Sequence, residues 1–412
     1  MLEILGQLLI LLLIARLCGV AAERIGQAAP VGELIGGILI ALGAAMIGPA
    51  DGLLDDLRSA PHLEGIAQMA IFFLVLRAGV DMEPQEILAA SKGAFAVALG
   101  GVLVPLALGC GLAWWIIPPS EMKVAQVLVV GIAMSVTAIP ATARVFEELG
   151  LLHSRLGATV LAAALIDDVL GLLLLAALTT YVLGGGAGGD GPDLAGLAWL
   201  AAKACIFFAV TGLLGAHVYP HLSERLREEK LVALELSALL AVGLAYALLA
   251  EALGLHWILG AFMAGLFLES ARIGEQAYND LKLILAAITG GVLGPLFFVS
   301  IGLQVDLSVL LEMPFLAAVI ILAALFGKLI GAGLPALWCG FDRRHACAVG
   351  VSMSARGAVE LIILGVVVEA GILATGLRDG IVANLFSLLV IMAVATTLIA
   401  PLGLRWLLKA DD

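Results

Sequence analysis

The stretch LGATVLAAALIDDVLGLLLLAALTTYVL, residues 156–183, contains only two charged side chains, Asp167 and Asp168, near its middle. A helix rises 1.5 Å per residue, so this stretch is long enough to cross the roughly 30 Å hydrocarbon core of a bilayer. The whole chain of 412 residues has 62% hydrophobic and 13% charged residues, whereas an average soluble domain has roughly 25% charged residues. This composition excludes a soluble globular protein, a disordered protein and a receptor with a single anchor. The sequence predicts an integral membrane protein.

Other apolar stretches follow along the chain, separated by Gly, Pro or charged breaks. Every backbone amide in hydrocarbon must be hydrogen-bonded internally, and the alternating segments of a β-barrel do not occur in the sequence, so these spans are predicted to be helices. The fold class is therefore an all-α polytopic membrane protein with about 13 transmembrane helices. The first span is predicted to be retained rather than cleaved as a signal peptide. The ninth span is short, and the last can be read as one helix or as two. The predicted spans are 2–22, 30–48, 62–80, 93–117, 124–146, 156–183, 196–219, 231–250, 256–270, 283–303, 313–338, 346–369 and 379–408.

Lys and Arg are distributed unevenly over the predicted loops. With the N-terminus outside, 15 of the 21 fall in inner loops and inner span ends, three fall outside and three lie within spans. This excess predicts an N-out/C-in orientation and an odd number of spans. Because the chain ends at Asp412, soon after the last span, residues 1–412 are predicted to form a single membrane transport domain without a soluble regulatory domain.

An internal repeat is visible in two pairs of segments. FFLVLRAGVD at 72–81 is similar to FFVSIGLQVD at 297–306, and GIAMSVTAI at 131–139 is similar to GVSMSARGA at 350–358. The members of each pair lie in spans of opposite predicted direction, which indicates inverted repeats, a pattern typical of secondary transporters. The predicted repeats cover about 1–183 and 231–408, with a connector helix at about 196–219.

Two acids and two bases are predicted to lie near the membrane midplane. Asp167 and Asp168 follow Arg155, at the inner edge of span six, by about 12 residues or roughly 18 Å of helix. Lys328 and Arg356 lie at similar depth in spans eleven and twelve. Adjacent helical residues point about 100° apart, so one Asp can pair with Lys328 while the other faces a water-filled cavity and exchanges a proton for a metal cation. The alternative is a buried ion pair that only fixes helix packing.

Two spans are predicted to be broken at corresponding places. Pro140 disrupts span five after Thr137, Ala138 and Ile139, and residues 354–357 interrupt span twelve. Broken helices that cross at mid-membrane offer free carbonyl groups and dipole ends. Arg356 is predicted to offset those carbonyl ends and to pair with Glu360 one turn later. Other charges receive simpler interpretations: Glu33, Arg77 and Glu235 are predicted to reach the membrane surface from span ends.

At these residues the sequence resembles the monovalent cation/proton antiporter superfamily, on its Kef-type and NapA-like branch, over nearly the whole chain. The resemblance implies a 13-helix, NhaA-like fold with a core domain and a dimerisation domain that move in an elevator-like way. The matching segments are Gly32–Leu39, Thr137–Pro140, Ala164–Asp168, Phe297–Gly302, Gly327–Lys328 and Arg356–Leu361.

By the same resemblance, Asp168 is the principal carrier of cation and proton, and Asp167 is the partner of Lys328. Thr137 and its neighbours line the site, with Ser135, Ala138, Ile139, Pro140, Arg356 and Glu360 in supporting positions. An Asp-Asp pair resembles the electrogenic members. The implied partners are the proton, Na⁺ or K⁺, which Asp168 and Asp167 would bind, the lipid bilayer and a second copy of the chain. We expect an inner (plasma) membrane location, no cofactor and no nucleic acid.

Three other functions are alternatives to a cation/proton antiporter. A sodium-coupled organic-anion symporter shares inverted repeats and broken helices but does not need Asp167, Asp168 and Lys328 together. An intramembrane aspartyl protease needs two Asp on different helices that share a proton, whereas these two are adjacent. A membrane scaffold or sensor leaves the midplane charges without a purpose. The sequence therefore predicts a transporter that works by alternating access, and not an enzyme.

Overall fold

The fold is described from a computed structural model of the full chain. The structure describes residues 2–47, 60–81, 92–137, 142–143, 145–146, 149–151, 154–183, 199, 202–215, 217, 232–268, 274–373 and 380–408. Ala138, Ile139 and Pro140 of the predicted site lie outside the described residues.

All the regular structure in these residues is helical. A π-helical turn, Thr289–Leu293, joins the helix Glu275–Ile288 (α10) to the helix Gly294–Gln304 (α11), so that the two form one continuous helical run. The helices are α1 Leu2–Arg24, α2 Ala29–Ile47, α3 Pro61–Asp81, α4 Lys92–Ile116, α5 Lys123–Ser135, α6 Arg155–Leu183, α7 Ala202–Gly215, α8 Val232–Ala252, α9 Ile258–Leu266, α10 Glu275–Ile288, α11 Gly294–Gln304, α12 Val309–Glu312, α13 Pro314–Trp338, α14 Arg343–Ser352, α15 Ala358–Glu369 and α16 Gly380–Leu408.

Within the described residues, eight helical runs are long and apolar enough to cross a membrane. They are α1, α3, α4, α6, α8, the α10–α11 run, α13 and α16, and the shorter apolar helices include α2, α5 and α7. The chain is thus a multi-pass, all-helical membrane protein. The suggestion that the last span consists of two pieces is wrong, because α16 is one helix of 29 residues with Pro401 inside it. A proline near the end of a helix frees only one backbone bond, and the helix continues past it here.

The chain divides into two compact units. Unit 1 contains residues 1–60, 89–175 and 298–412, and unit 2 contains residues 61–88 and 176–297. All the residues predicted to bind ions belong to unit 1.

Unit 1 is held together by helices that approach one another closely at glycines. A Cβ atom at Gly100 in α4 would lie 2.2 Å from the carbonyl oxygen of Gly331 in α13. A Cβ at Gly32 in α2 would lie 2.2 Å from the carbonyl oxygen of Cys18 in α1, and one at Gly37 would lie 2.1 Å from that of Val299 in α11. Small residues permit such backbone contacts, which are the main source of helix association in lipid.

Unit 2 repeats two of these contacts with other helices. A Cβ at Gly260 in α9 would lie 2.1 Å from the backbone nitrogen of Ala247 in α8, as Gly32 approaches α1 in unit 1. A Cβ at Gly79 in α3 would lie 2.3 Å from the carbonyl oxygen of Phe262 in α9, as Gly37 approaches α11. The pairs of helices in close contact are thus α1–α2 and α2–α11 in unit 1, and α8–α9 and α9–α3 in unit 2.

Glu33 corrects one interpretation of the sequence. It was predicted to reach the membrane surface, but it is 2% exposed. Its Oε1 atom lies 3.4 Å from Arg16 Nη1 on α1, whose side chain is partly exposed. The close approach of α1 and α2 at Gly32 keeps Glu33 between the two helices, and Arg16 supplies the opposite charge that a buried carboxylate requires.

Candidate functional site

Two adjacent carboxylates on α6 have different surroundings. Asp167 is fully buried, while Asp168 is partly exposed. Their side chains diverge because consecutive residues on a helix point about 100° apart. The Oδ1 atom of Asp168 is buried and has no hydrogen-bond partner among the described residues. One acid is therefore enclosed in the protein, and the other retains a free oxygen atom.

Lys328 on α13 neutralises the enclosed acid. Its Nζ atom lies 3.2 Å from both Oδ1 and Oδ2 of Asp167 and donates a 2.6 Å hydrogen bond to Thr137 Oγ1. Asp167 and Lys328 are both 0% exposed. An unpaired charge in this position would have a large free-energy cost. Asp167, Lys328 and the Thr137 hydroxyl group therefore form one hydrogen-bonded group. The structure thus brings together Asp167, Lys328 and Thr137, with Asp168 beside them.

Thr137 is the second residue after the end of α5. This helix stops at Ser135, and Val136 is already extended, with φ −70° and ψ 147°. The Thr137 hydroxyl donates a 3.0 Å hydrogen bond to the carbonyl oxygen of Met353, the residue that follows α14. The Ser135 hydroxyl instead donates within its own helix, to the Ile132 carbonyl oxygen at 2.8 Å. Thr137 therefore connects two helix ends with Lys328.

Arg356 lies in the non-helical segment between α14 and α15 and reaches the end of α5. Its guanidinium group donates to the carbonyl oxygens of Met134 at 2.6 Å, Ala133 at 3.1 Å and Val136. The last carbonyl groups of a helix lack partners within the helix and carry partial negative charge. Arg356, which is 1% exposed, supplies both the donors and the positive charge that this buried helix end requires.

Glu360, in the first turn of α15, lies beside Arg356. Its Oε2 atom is 3.8 Å from Arg356 Nε, and Glu360 is 0% exposed. Neither Glu360 oxygen nor Arg356 Nε has a hydrogen-bond partner among the described residues. The contact is therefore an ion pair without a hydrogen bond, unlike the pair between Lys328 and Asp167.

Two threonines complete this arrangement and were not predicted from the sequence. Thr142 Oγ1 donates a 3.1 Å hydrogen bond to the carbonyl oxygen of Ser352, the last residue of α14. Thr397 on α16 accepts the backbone N–H of Arg356 and donates to its carbonyl oxygen, each at 3.0 Å. Threonine is common in apolar helices, where its hydroxyl often bonds to its own helix, so no sequence signal distinguishes these two.

The described residues contain no group of three or more His, Cys, Asp or Glu side chains that could hold a metal ion.

The sequence and the fold are also similar to those of known proteins. Residues 9–410 match the profile of a protein family described as "Sodium/hydrogen exchanger, transmembrane". The chain belongs to the sodium/hydrogen exchanger family. As a member of this family of membrane transporters, it is a cation/proton antiporter, and the comparisons give no support to an organic-anion symporter.

Relatives of this exchanger cover its full length. The chain is 29% identical to the Na⁺/H⁺–K⁺ antiporter GerN of Bacillus cereus, over 100% of this chain and 97% of the relative. It is 27% identical to a Na⁺/H⁺ antiporter of Enterococcus hirae, over 99% of this chain and 98% of that relative. The structure of the sodium proton antiporter MjNhaP1 from Methanocaldococcus jannaschii matches with a TM-score of 0.64 at 16% identity, over 98% of this chain and 96% of the other. This structural match indicates a shared fold.

Proposed function

We propose that this exchanger transports Na⁺, K⁺ or both against protons by alternating access, and that Asp168 carries the transported ion. The observation that supports this proposal is the buried, unpartnered Oδ1 atom of the partly exposed Asp168. Asp167 is unsuited to the role while Lys328 occupies both its oxygens. A name that includes both Na⁺ and K⁺, as that of GerN does, supports either cation.

Exchange follows from competition at one carboxylate. A proton or a monovalent cation can neutralise Asp168, but both cannot do so together. The site then crosses between its two access states in a neutral form, because an uncompensated charge in hydrocarbon is costly. Thr137 and the segment containing Ala138, Ile139 and Pro140 are proposed to add oxygen ligands from the break after α5, and Ser135 has a supporting position at the end of that helix. No cofactor or catalytic step is required.

The proposal includes 13 spans in an N-out/C-in orientation, with inverted repeats over about 1–183 and 231–408. The matched contacts α1–α2 and α8–α9, and α2–α11 and α9–α3, support the repeats. They relate the FFLVLRAGVD segment in α3 to the FFVSIGLQVD segment in α11. The resemblance to this family also supports a homodimer in the inner (plasma) membrane.

The proposal is tested in proteoliposomes that hold an inward-acid pH gradient. Addition of Na⁺, Li⁺, K⁺ or Rb⁺ to the wild-type protein should dissipate the gradient for at least one cation. Asp168→Asn should abolish this response, because an amide neither binds a proton at these pH values nor carries the charge that attracts a cation. An imposed membrane potential should change the rate if exchange is electrogenic.

Asp280→Asn is the matched control, since Asp280 lies on α10 in unit 2, whereas Asp167, Asp168, Lys328 and Thr137 belong to unit 1. It should exchange ions at the wild-type rate. Unchanged exchange by Asp168→Asn would remove Asp168 from the proposed role, and a wild-type protein that responds to no cation would refute the proposed substrates.

A further inference from the structure

The further inference concerns Glu360, a buried acid that takes no direct part in the proposed binding of the ion. Among the described residues, the fully buried side chains that carry charge are Glu33, Asp167, Lys328, Arg356 and Glu360. Glu33 has its own partner, Arg16 on α1, in a separate pair. The other four converge where the ends of α5 and α14 meet α6 and α13, and together with the partly exposed Asp168 on α6 they form the charged cluster.

The formal charges of this cluster show what Glu360 contributes. Asp167 and Lys328 cancel each other. Arg356 is required as a cation by the carbonyl groups at the end of α5. If the cluster contained no Glu360, the positive charge of Arg356 would cancel the negative charge of Asp168, and the region would have no net charge to attract a cation. With Glu360 the region has a net charge of −1, which one monovalent cation or one proton neutralises.

The geometry of Glu360 fits this role better than a purely structural one. A carboxylate that served to hold Arg356 in place would form hydrogen bonds with its guanidinium group, often two in parallel. Glu360 instead lies 3.8 Å from Arg356 Nε, and the other two guanidinium nitrogens donate to the α5 carbonyls. The Arg356 backbone is held separately by Thr397. Arg356 is thus positioned by other groups, and Glu360 adds charge.

We propose that Glu360 is a positioning residue that sets the affinity for the transported cation by balancing the charge of Arg356. This inference rests on the proposed function of Asp168. The charged groups that act on Glu360 are Arg356, in the segment before α15, and Lys328 on α13, and Lys328 in turn interacts with both Asp167 and Asp168 on α6. Since these charges interact in a medium of low dielectric constant, removal of one of them changes the electrostatic energy of the others.

The test compares Glu360→Gln with wild type at one fixed pH. Gln has the same shape without the charge, so the KM for the transported cation should rise on the order of tenfold, while Vmax changes much less. Thermal stabilisation of the purified protein by the same cation should require a correspondingly higher concentration, because a ligand stabilises the folded state according to the ratio of its concentration to its Kd. A merely structural role would lower stability or Vmax without raising KM.

Two further variants keep the inference falsifiable. Glu360→Asp retains the charge and should keep KM within about threefold of wild type, even if shorter reach lowers Vmax. Glu33→Gln removes the charge of another buried acid outside the cluster and should leave KM unchanged.

A Glu360→Gln protein with wild-type KM, or a Glu360→Asp protein whose KM rises as much as that of an uncharged variant, would overturn the inference. In either case active exchange by the wild type, and its loss in Asp168→Asn, would leave the proposed function standing. Absence of exchange in the wild type would refute both.

Discussion

The helices α5 and α14 end at Ser135 and Ser352, and the free carbonyl groups at the two ends are satisfied by different chemistry. The end of α5 receives the guanidinium group of Arg356. The end of α14 receives two neutral hydroxyl groups, from Thr137 to Met353 and from Thr142 to Ser352. Thr137 and Arg356 occupy equivalent positions in the two similar segments of the repeat, so each helix break supplies the group that caps the other.

This difference shows how an approximately symmetric framework produces an asymmetric site. A cation at one end and hydroxyl groups at the other leave Thr137 free to accept a hydrogen bond from Lys328 while it donates to Met353. A second arginine in the position of Thr137 would add positive charge beside Lys328 and repel the transported cation. The asymmetry therefore places the positive charge at the end of α5 and keeps a polar, uncharged group beside Asp167.

The start of each helix differs as well. The residue before α14 is Asp342, whose side chain accepts the backbone N–H of Arg344 at 3.1 Å and contacts His345 Nδ1. The hydrogen bond with His345 holds the pKa of the exposed Asp342 carboxyl below its usual value. The residue before α5, Met122, makes no side-chain cap. The position of α14 is thus fixed at both ends by side chains, which suits a helix whose last carbonyls face the site.

The largest expected effect comes from Arg356→Met, which removes the charged cap. The carbonyls of Ala133 and Met134 lose their donors, and Glu360 is left as an uncompensated buried charge. Breaking a buried ion pair from one side typically costs about 3–5 kcal/mol. We expect a large fall in the melting temperature of the detergent-solubilised protein, measured by size-exclusion chromatography after heating, with little folded protein at ambient temperature.

Arg24→Met is the control for this loss of charge, because Arg24 lies exposed in the last turn of α1. It should melt as the wild type does. If Arg356→Met were equally stable, the charged cap would be dispensable and the two helix ends would not differ in their need for it.

An intermediate effect is expected for Thr137→Val, which replaces a hydroxyl by a methyl group of similar size. The Met353 carbonyl and Lys328 each lose a partner inside the protein, and an unsatisfied buried polar group costs about 1–3 kcal/mol. The melting temperature should fall less than in Arg356→Met, and the rate of cation-driven proton exchange should fall because Lys328 is less well held. Both are measured on the same preparation, the second in proteoliposomes.

Thr137→Ser restores the hydroxyl and should recover most of the stability and the exchange rate. If the serine variant behaved like the valine variant, the methyl group of Thr137 would matter more than its hydrogen bonds.

The sequence alone predicted the helical character of the chain, because long apolar stretches leave no alternative in a membrane. It also predicted that Asp167, Asp168, Lys328 and Arg356 share one depth, since charges are rare enough in the spans to stand out. The assignment of Lys328 to Asp167 rather than Asp168 needed the resemblance to a known family, because helix periodicity only shows that the two acids diverge.

Other features depend on tertiary structure and could not be predicted. Glu33 lies close enough to a predicted span end to reach water, and only the close contact of α1 with α2 shows that it is buried. The number of residues in α5 depends on where Arg356 meets its carbonyls, which involves residues more than 200 positions apart. The roles of Thr142 and Thr397 are likewise set by distant partners, and their residue type gives no indication of them.

The smallest expected effect is that of Thr142→Val, which tests whether the hydroxyl caps of α14 are individually modest. Thr142 is 3% exposed and donates to the Ser352 carbonyl, whereas Thr137 is the hydroxyl that accepts the hydrogen bond from Lys328. Loss of one neutral hydrogen bond costs about 1 kcal/mol. A small fall in melting temperature with near-normal KM for the cation is therefore expected, and Thr142→Ser should reverse it. A fall as large as that of Arg356→Met would mean that the neutral end of α14 depends on its caps as strongly as the charged end of α5, and the division between a charged and a neutral helix end would then have no energetic basis.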